Sequence, residues 1–361
     1  MDRLPEHASA VVVGGGFAGA ATAWWLARGG IADVLVVERE DLLGLHASGR
    51  NAGMCRQIAE DDRWTALCAR GAALLREPPD GFAARPLTVT GSYLVAADDA
   101  TLAALVDQAG RHGITHRVVE VAEVERRVPA LAGVPGVAAV FTPDDGVIDA
   151  TALLHGLVGG ARRAGARVVR RCQVEAARPV AGGDGVDVVT SRGTVQTRVV
   201  VCAAGAWAGE VGAGAGARDV GFQPVRRHLF FLAQGADGPA VGDPFVWRVG
   251  AGEGYVRNGA DGLIASYCDA TPTVPGDARV DADADERLAA RLTTLAPRLA
   301  ERAITARWSC LRTYAPEGPP RVGWDRDVPW LFWVAGLGGH GATACAAIGQ
   351  DAARAIAARL G

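Results

Sequence analysis

The sequence contains no lysine, so all 37 of its lysine-plus-arginine positions are arginine. This absence excludes a Schiff base to a substrate, a lysine general base and the lysine of a phosphate-binding P-loop. Positive charge is not in excess either, because the formal net charge is −3. A protein without a basic surface does not attract nucleic acid. We therefore expect small molecules, and no nucleic acid, as partners.

Paired cysteines and long apolar runs are also lacking. The seven cysteines are scattered and form no CxxC pair, which excludes a zinc site or a disulfide framework and suits a reducing compartment. No stretch approaches the roughly 18 uncharged apolar residues of a membrane span, and the first residues do not form a secretory signal. We expect a cytoplasmic protein whose membrane contact is at most peripheral.

The beginning of the chain has the pattern of a β-α-β unit. A short apolar strand is followed by a glycine-rich turn, a helix and a second strand at Val34–Val37, whose continuous apolar run suits a parallel strand covered on both faces. Gly14, Gly16 and Gly19 match the dinucleotide-binding fingerprint GxGxxG. Glu38 ends the second strand, where an acid accepts hydrogen bonds from ribose hydroxyls. These features predict a dinucleotide site.

A second GxGxxG match lies near the end of the chain, at Gly336, Gly338 and Gly341. No second strand with an acidic end follows it, so we interpret it as a turn that exposes a helix N-terminus. Elsewhere, helical and strand-like patterns are mixed, and the glycine- and alanine-rich run 212–217 predicts a loop. The length of 361 residues is comfortable for two domains.

Further motifs follow the fingerprint in a fixed order. They are GLHASGRNAG at 44–53, AAGAW at 203–207, QPVRR at 223–227, WSCLR at 308–312 and GGHG at 338–341. With the fingerprint, Glu38 and an aspartate (Asp149) that precedes a helix, the chain resembles the FAD-dependent D-amino acid oxidase superfamily nearly end to end. This superfamily includes glycine and sarcosine oxidases. Within it, the chain looks most like D-arginine dehydrogenase-type D-amino acid dehydrogenases.

The resemblance implies an α/β fold with an α+β substrate part. A Rossmann-like FAD-binding domain would comprise residues 1–85, 143–215 and 313–361. A discontinuous, sheet-based substrate-binding domain, as in glycine oxidase, would comprise residues 86–142 and 216–312. The active site is expected where the substrate-binding domain meets the flavin.

The cofactor implied by the resemblance is FAD, held without a covalent bond. Cys310 and His46 fall near positions through which sarcosine oxidases and dimethylglycine dehydrogenases attach flavin, but the dehydrogenases that this chain most resembles use neither. The helix that follows Gly341 presents its N-terminus to negative charge, such as a reduced flavin develops. The FAD-binding positions carried over from the family are Gly14, Gly16, Gly19, Glu38, Arg39, Ser48, Gly49, Arg50, Asn51, Ala52, Gly53, Val174, Ala204, Gly205, Trp207, Arg312, Gly338, Gly339, His340, Gly341, Ala342 and Thr343.

The reaction implied by the resemblance is hydride transfer from the substrate α-carbon to flavin N5, followed by hydrolysis of the imine. Arg312 matches the family's substrate arginine, and a guanidinium binds a carboxylate bidentately. Arg226 or Arg227 would assist, with the other pointing to solvent, and Tyr255 would donate a further hydrogen bond.

Two histidines, His46 and His340, flank the glycine-rich flavin segments and are expected in the active site. Sarcosine-type oxidases use a lysine to activate oxygen; this chain has none, which favours a dehydrogenase that passes electrons to a quinone or another carrier rather than to O2. D-arginine dehydrogenases place an acid near the position of 90–92, where this sequence has none. A cationic side chain would lack a counter-charge there, so neutral or apolar substrates are expected.

Three hypotheses on function remain open at this stage. The first is oxidative deamination of a small or neutral D-amino acid, or of a glycine-like secondary amine. The second keeps the fold but oxidises a 2-hydroxy acid, which would require a histidine base. The third is an FAD-bearing subunit without catalysis of its own.

Overall fold

A computed structural model describes residues 3–82, 85–235, 242–259 and 262–360. Residues 1–2, 83–84 and 361 of the expected FAD-binding segments lie outside the described residues. The same holds for residues 236–241 and 260–261 of the expected substrate-binding segments. The division into these two domains stays a prediction.

The strands of the described chain are β1 (His7–Val13), β2 (Val34–Val37), β3 (Met54–Cys55), β4 (Leu87–Val89), β5 (Ser92–Ala96), β6 (Arg117–Val119), β7 (Ala138–Thr142), β8 (Gly146–Ile148), β9 (Arg167–Val169), β10 (Val174–Pro179), β11 (Val186–Thr190), β12 (Gly193–Cys202), β13 (Gln223–Leu232), β14 (Phe245–Val249), β15 (Gly254–Gly259), β16 (Gly262–Ser266), β17 (Thr271–Pro272), β18 (Ile304–Tyr314), β19 (Arg321–Trp324) and β20 (Leu331–Ala335). The α-helices are α1 (Phe17–Arg28), α2 (Asp62–Arg76), α3 (Asp99–Arg111), α4 (Val121–Arg127), α5 (Ala150–Arg163), α6 (Ala208–Gly214), α7 (Ala284–Leu295) and α8 (Gly341–Leu360).

The first sheet has a parallel centre in the order β9-β2-β1-β12-β20. The hairpin β10–β11 and strand β19 extend it with antiparallel pairs. Every residue of β2 is buried, as its apolar run predicts. Val13 lies opposite Cys202, so the carboxyl ends of β1 and β12 are adjacent. Ligands bind at this edge of open α/β sheets.

Helices α1, α5 and α8 pack together on this sheet. A Cβ on Gly349 of α8 would lie 2.7 Å from a backbone carbon of Ala21 in α1, so the missing side chain allows close approach of the two helices. Leu153 and Leu157 of α5 and Ile356 of α8 belong to the same buried core. The helix layer therefore fixes α1, whose N-terminus opens toward the site.

The second sheet follows the order β17-β13-β16-β15-β14-β5-β7-β6, and β18 pairs along β13. Leu288 and Leu292 of α7 pack against Phe230 and Leu232 of β13, so one face of this sheet is covered by a helix. The other face carries a smaller apolar cluster together with Arg227 and Arg312, which point toward the first sheet. A small third sheet, β3-β8-β4, completes the fold.

The run 212–217 was expected to be a loop, and this expectation is wrong for its first half. Helix α6 extends through Gly214. A Cβ on Gly212 would lie 3.1 Å from Cζ2 of Trp333, so tertiary packing against this ring holds a helix that composition alone disfavours. No helix in the described part of the chain is long and apolar enough to cross a bilayer.

Candidate active site

A cavity of about 790 Å³ lies between the carboxyl ends of β1 and β12 and the polar face of the second sheet. Gly14 and Ala203 line it from the first sheet, and Arg227, Tyr255 and Arg312 line it from the second. Its volume is in the range of small-molecule and cofactor sites. Both sheets therefore contribute to one site.

Gly14 follows β1 with a φ of 110°, a conformation that favours glycine. A Cβ at this residue would lie 2.9 Å from the carbonyl carbon of Ala203. A Cβ on Gly19 would collide with the carbonyl oxygen of Gly14. Only glycines therefore permit this turn, which matches the role of the fingerprint in bringing backbone and pyrophosphate together.

Helix α1 begins beside this turn with Gly16 as its N-cap and no acidic residue in its first turn. Ser48 Oγ accepts a hydrogen bond of 2.9 Å from the backbone N–H of Phe17. Since Gly16, Phe17 and Ser48 line the cavity, the positive end of the helix dipole faces it. An anion such as a pyrophosphate fits this position.

Glu38 lies at the same end of the cavity. Its Oε2 accepts a hydrogen bond of 2.8 Å from Gly15 N, and its Oε1 accepts one of 2.9 Å from Glu40 N. These bonds fix the carboxylate against the glycine-rich turn, while its remaining lone pairs can accept hydrogen bonds from ribose hydroxyls. The cradle thus fits the nucleotide part of FAD.

Most of the expected FAD-binding positions line the cavity. They are Gly14, Gly16, Glu38, Arg39, Ser48, Asn51, Ala52, Gly53, Val174, Ala204, Gly205, Trp207, Arg312, Gly338, Gly339, His340, Gly341, Ala342 and Thr343.

Three expected positions do not line the cavity. Gly19 packs α1 against the fingerprint turn, and Gly49 closes a turn in which its N–H donates to Gly44 O at 2.7 Å. Arg50 turns outward, where its Nη1 lies 2.8 Å from Asp277 Oδ1. These residues shape or brace the glycine-rich segments.

His46 lines the cavity at its Glu38 end. Its Nε2 is 2.9 Å from Glu40 Oε1, and its ring centroid is 4.6 Å from that of Trp207. The guanidinium of Arg39 lies over the same Trp207 ring, 3.8 Å from Cζ to the centroid. The His46 hydrogen bond and the Arg39 charge hold the pKa of Glu40 below its usual value. This cluster surrounds the nucleotide end of the cavity.

Arg227 and Arg312 lie at the opposite end, on the paired strands β13 and β18. In the antiparallel register Arg227 is opposite Cys310 and Val225 is opposite Arg312. The two arginines are therefore diagonal neighbours on one face of the sheet. Both are buried, with 9% and 7% of their surface exposed.

Neither guanidinium has an acidic partner among the described residues, because no carboxylate oxygen of that part of the chain lies within 4.0 Å of either. Arg227 Nε donates to the backbone oxygen of Asp269 at 2.6 Å, and Arg312 Nη1 donates to Cys310 Sγ at 2.9 Å. Burial alone would lower the pKa of Arg227, but the nearby Cys268 and Tyr255 raise it above its ordinary value. Both side chains line the cavity, where they are open to an anionic ligand.

Arg226 lies on the other face of β13, because successive side chains of a strand point to opposite sides. Its Nη1 is 3.0 Å from Asp281 Oδ1, and it does not line the main cavity. Arg227 is the one that faces the cavity, whereas Arg226, rather than pointing to solvent as was expected of one of the two, is half-buried against Asp281.

Tyr255 and Tyr314 add hydroxyl groups to the arginine end of the cavity. Burial raises the pKa of Tyr255 well above its usual value, despite the opposing charges of Arg227 and Arg312. Burial raises the pKa of Tyr314 as well. Both phenols are therefore neutral donors. Tyr314, the last residue of β18, was not among the residues expected from the sequence.

His340 lines the cavity at the turn before α8. Its Nε2 is 2.6 Å from Glu60 Oε2, and its ring packs on Trp64 with centroids 4.6 Å apart. Arg56 Nη2 donates to Glu60 Oε1 at 2.7 Å. Burial would raise the pKa of Glu60, but the charges of Arg56 and His340 outweigh it and hold the pKa far below its usual range. Glu60 thus remains ionised between Arg56 and His340.

Glu253, like Glu60, is an acidic residue of the cavity that was not among the residues expected from the sequence. It precedes β15, and its Oε1 accepts a hydrogen bond of 2.8 Å from Trp247 Nε1. The Trp247 ring in turn lies under the Arg56 guanidinium, 4.1 Å from Cζ to the centroid.

Cys310 is buried and does not line the cavity. Its burial raises the pKa of its thiol.

Comparison with known proteins identifies the family of this chain. The family model described as FAD dependent oxidoreductase matches residues 9–355. Mitochondrial sarcosine dehydrogenase of Mus musculus is 28% identical over 225 residues, which cover 60% of this chain and 24% of that protein. The match thus spans about a quarter of that relative's length.

Solved structures share the fold. L-proline dehydrogenase from P. horikoshii superimposes with a TM-score of 0.87 at 23% identity, covering 99% of this chain and 95% of that one. Glycine oxidase from Geobacillus kaustophilus gives a TM-score of 0.82 at 24% identity, with coverages of 98% and 95%. At these identities the likeness establishes the α/β fold, which confirms the fold class expected from the sequence.

Proposed function

This chain belongs to the family of FAD-dependent oxidoreductases, and on that basis we propose that it oxidises a small amino acid at the carbon that bears the amine. FAD is the cofactor of the family, and the glycine turn, the α1 N-terminus and Glu38 fit its nucleotide part. The substrate would be a small or neutral D-amino acid, or a glycine-like secondary amine. The resemblance to D-arginine dehydrogenase-type enzymes supports the D configuration.

The observation that carries the proposal is the pair of buried guanidiniums, Arg227 and Arg312. Within the described residues neither meets a carboxylate, and an uncompensated buried charge is destabilising by several kcal/mol. A substrate carboxylate would compensate them, since a guanidinium fork matches its geometry. Tyr255 and Tyr314 can donate further hydrogen bonds to the same group. The polar end of the cavity therefore suits a carboxylate-bearing substrate.

The same charges favour a neutral amine. A single carboxylate compensates one positive charge and leaves one uncompensated, and a nearby cation lowers the pKa of an ammonium group. A neutral amine is the form whose α-carbon can release a hydride. FAD supplies the hydride acceptor when bound. The chain thus needs to orient the substrate rather than to supply a strong base.

The turn at 338–341 contributes a second positive field, because the N-terminus of α8 begins there and lines the cavity. A helix N-terminus carries about half a positive charge and stabilises negative charge that develops nearby. His340, held by Glu60, lies at the same place. We infer that this end of the cavity stabilises the negative charge that a reduced flavin would develop.

Side-chain preference and electron acceptor belong to the proposal as well. The sequence has no acid at 90–92, and Glu60 is already engaged by Arg56 and His340, so we favour substrates with neutral side chains. Because the sequence lacks lysine altogether, we favour a dehydrogenase that uses a quinone or another carrier over an O2-dependent oxidase. Turnover with an artificial acceptor, compared with O2 consumption, tests this preference.

An anaerobic panel tests the reaction itself. The FAD-loaded protein is mixed with D- and L-alanine, D- and L-proline, glycine, sarcosine and D- and L-lactate, and the flavin absorbance near its visible maximum is followed. Bleaching by a D-amino acid or a glycine-like amine supports the proposal. Bleaching by lactate alone would establish a 2-hydroxy acid dehydrogenase instead, and no bleaching by any compound would favour a non-catalytic FAD-bearing subunit.

A further inference from the structure

Arg227 is held from behind by Asp269, a residue that does not itself line the cavity. Its Nε donates to the backbone oxygen of Asp269 at 2.6 Å. Because Nε is engaged, the two terminal nitrogens Nη1 and Nη2 are left to present a fork to the cavity. The position of the Asp269 carbonyl therefore decides where this fork points.

The carboxylate of Asp269 folds back onto His228, the residue that follows Arg227 on β13. Its Oδ1 accepts a hydrogen bond of 2.8 Å from His228 N, and its Oδ2 lies 2.7 Å from His228 Nδ1. The His228 side chain is 0% exposed and that of Asp269 3%. This buried pair ties residue 269 to the strand that carries Arg227.

The far side of the imidazole is also satisfied. His228 Nε2 accepts a hydrogen bond of 3.0 Å from the backbone N–H of Asp281, so this nitrogen carries a lone pair and Nδ1 carries the proton donated to Asp269. Asp281 Oδ2 lies 4.0 Å from Nε2. The imidazole is thus a fixed connector between two segments that follow β16.

The turn between Ser266 and Asp269 is strained and is fastened at a second point. Cys268 has a φ of 54°, a conformation that is energetically unfavourable for a non-glycine residue. Ser266 Oγ donates to His228 O at 2.7 Å and accepts from Cys268 N at 3.1 Å. Such strain persists only where surrounding contacts hold it, and here the contacts converge on His228.

We propose that His228 and Asp269 are positioning residues for substrate carboxylate recognition: they hold the Asp269 carbonyl that aims the Arg227 guanidinium. Neither side chain lines the cavity, so neither would touch the substrate. The inference rests on the proposed function, because it assigns the purpose of Arg227 to a carboxylate.

Two substitutions remove the pair with little change in volume. His228→Leu abolishes the side-chain donor to Asp269, and Asp269→Asn leaves one acceptor oxygen for two His228 donors, the backbone N–H and Nδ1–H. His228→Asn is the conservative variant, because its Nδ2 can donate in place of Nδ1. Tyr267→Phe is the matched control: the Tyr267 ring stacks on His228 with centroids 5.9 Å apart, and its buried hydroxyl has no hydrogen-bond partner among the described residues.

The measurement is the affinity of the FAD-loaded variants for 2-furoate and for its neutral analogue 2-furamide, followed by the flavin absorbance spectrum. His228→Leu and Asp269→Asn are expected to weaken furoate binding by about tenfold or more, the effect of a lost charge-assisted hydrogen bond, while furamide affinity changes by less than about threefold. His228→Asn and Tyr267→Phe are expected to retain furoate affinity. The ratio of the two affinities separates positioning of a charge from general loosening of the site.

Unchanged furoate affinity in Asp269→Asn, or equal losses for furoate and furamide in both variants, would overturn the inference. If His228→Leu does not bind FAD, Asp269→Asn decides, since it keeps the size and the backbone carbonyl. A wild-type protein that binds no furoate would overturn the inference together with the carboxylate site. A wild-type protein that binds furoate selectively but is reduced by no amino acid would refute the proposed reaction alone.

Discussion

The carbonyl carbon of Ala203 lies 2.9 Å from the position that a Cβ on Gly14 would occupy. The two residues follow adjacent parallel strands, and Gly14 has the positive φ of 110°. Substitution by alanine must therefore separate the strand ends or distort the turn. Both changes move the amides at the start of α1.

We predict that Gly14→Ala lowers the affinity for FAD by at least about tenfold. Flavin absorbance per protein after gel filtration, with the melting temperature recorded alongside, checks this. Gly209→Ala is the matched control, because it lies in helix α6 with nothing within 4 Å of an added Cβ and alanine favours helices. Full FAD occupancy in Gly14→Ala would refute the assignment of the fingerprint as the nucleotide cradle.

Glu253 tests the electrostatics of the cavity. Its charge raises the pKa of Arg56, whose own burial acts in the opposite direction, and it contributes in the same sense at Arg227. Glu253→Gln keeps the acceptor for Trp247 Nε1 but removes the negative charge. We expect the Kd for 2-furoate to fall by about threefold, since each charge changes an anion's affinity by a fraction of its Coulomb energy. Weaker furoate binding in Glu253→Gln would contradict this expectation.

Substitution of His46 tests whether this residue acts in FAD retention or in catalysis. The resemblance implies an active-site role, yet its contacts are with Glu40 and Trp207 at the Glu38 end of the cavity. We predict that His46→Ala releases FAD more readily, while turnover per bound FAD changes by less than about threefold. Equilibrium dialysis and assays at saturating FAD measure the two effects. A loss of more than about tenfold in turnover per bound FAD would restore the catalytic role.

Much of the nucleotide end of the cavity could be predicted from the sequence, but less of the substrate end. Gly14, Gly16 and Glu38 are close in sequence, so their spacing reports their geometry. Glu253 and Tyr314 come from distant segments that only the tertiary fold brings together, and no local spacing marks them. The sequence predicted that one of Arg226 and Arg227 assists at the substrate site, but it could not say which one.

The glycine- and alanine-rich run 212–217 shows a second reason why a prediction from the sequence failed. Composition predicted a loop at 212–217, because glycine weakens isolated helices. In the fold the missing side chain of Gly212 is what admits the Trp333 ring, so a residue unfavourable locally is favourable in context.

Asp145 gives a pH dependence of stability. It is fully buried, accepts hydrogen bonds from Ser92 and Gln57, and burial raises its pKa from 3.8 to about 6. Between these values the folded state binds more protons than the unfolded state, so the contribution of Asp145 to stability falls as pH rises. We expect this contribution to fall by up to about 3 kcal/mol between pH 4 and pH 6 or slightly above.

Denaturant unfolding of wild type and Asp145→Asn at several pH values measures this contribution as a difference, because other groups titrate in both proteins. Asparagine keeps the acceptor for Gln57, and the Ser92 hydroxyl can rotate to accept from the new amide. The stability of wild type relative to the variant should decline as pH rises through this window. A stability difference that is constant with pH, or that rises with pH, would contradict the raised pKa of the buried Asp145.

The most direct test of the carboxylate site combines one substitution with one pair of substrates. Anaerobic flavin reduction is followed for wild type and Arg312→Met, each with whichever amino acid reduces the flavin fastest and with the matching amine that lacks its carboxylate. We predict that wild type prefers the amino acid by at least about a hundredfold in the rate constant per molar substrate, and that Arg312→Met loses most of this preference, as expected for a buried charge-assisted contact. Equal preference in the two proteins would show that Arg312 does not bind the substrate carboxylate.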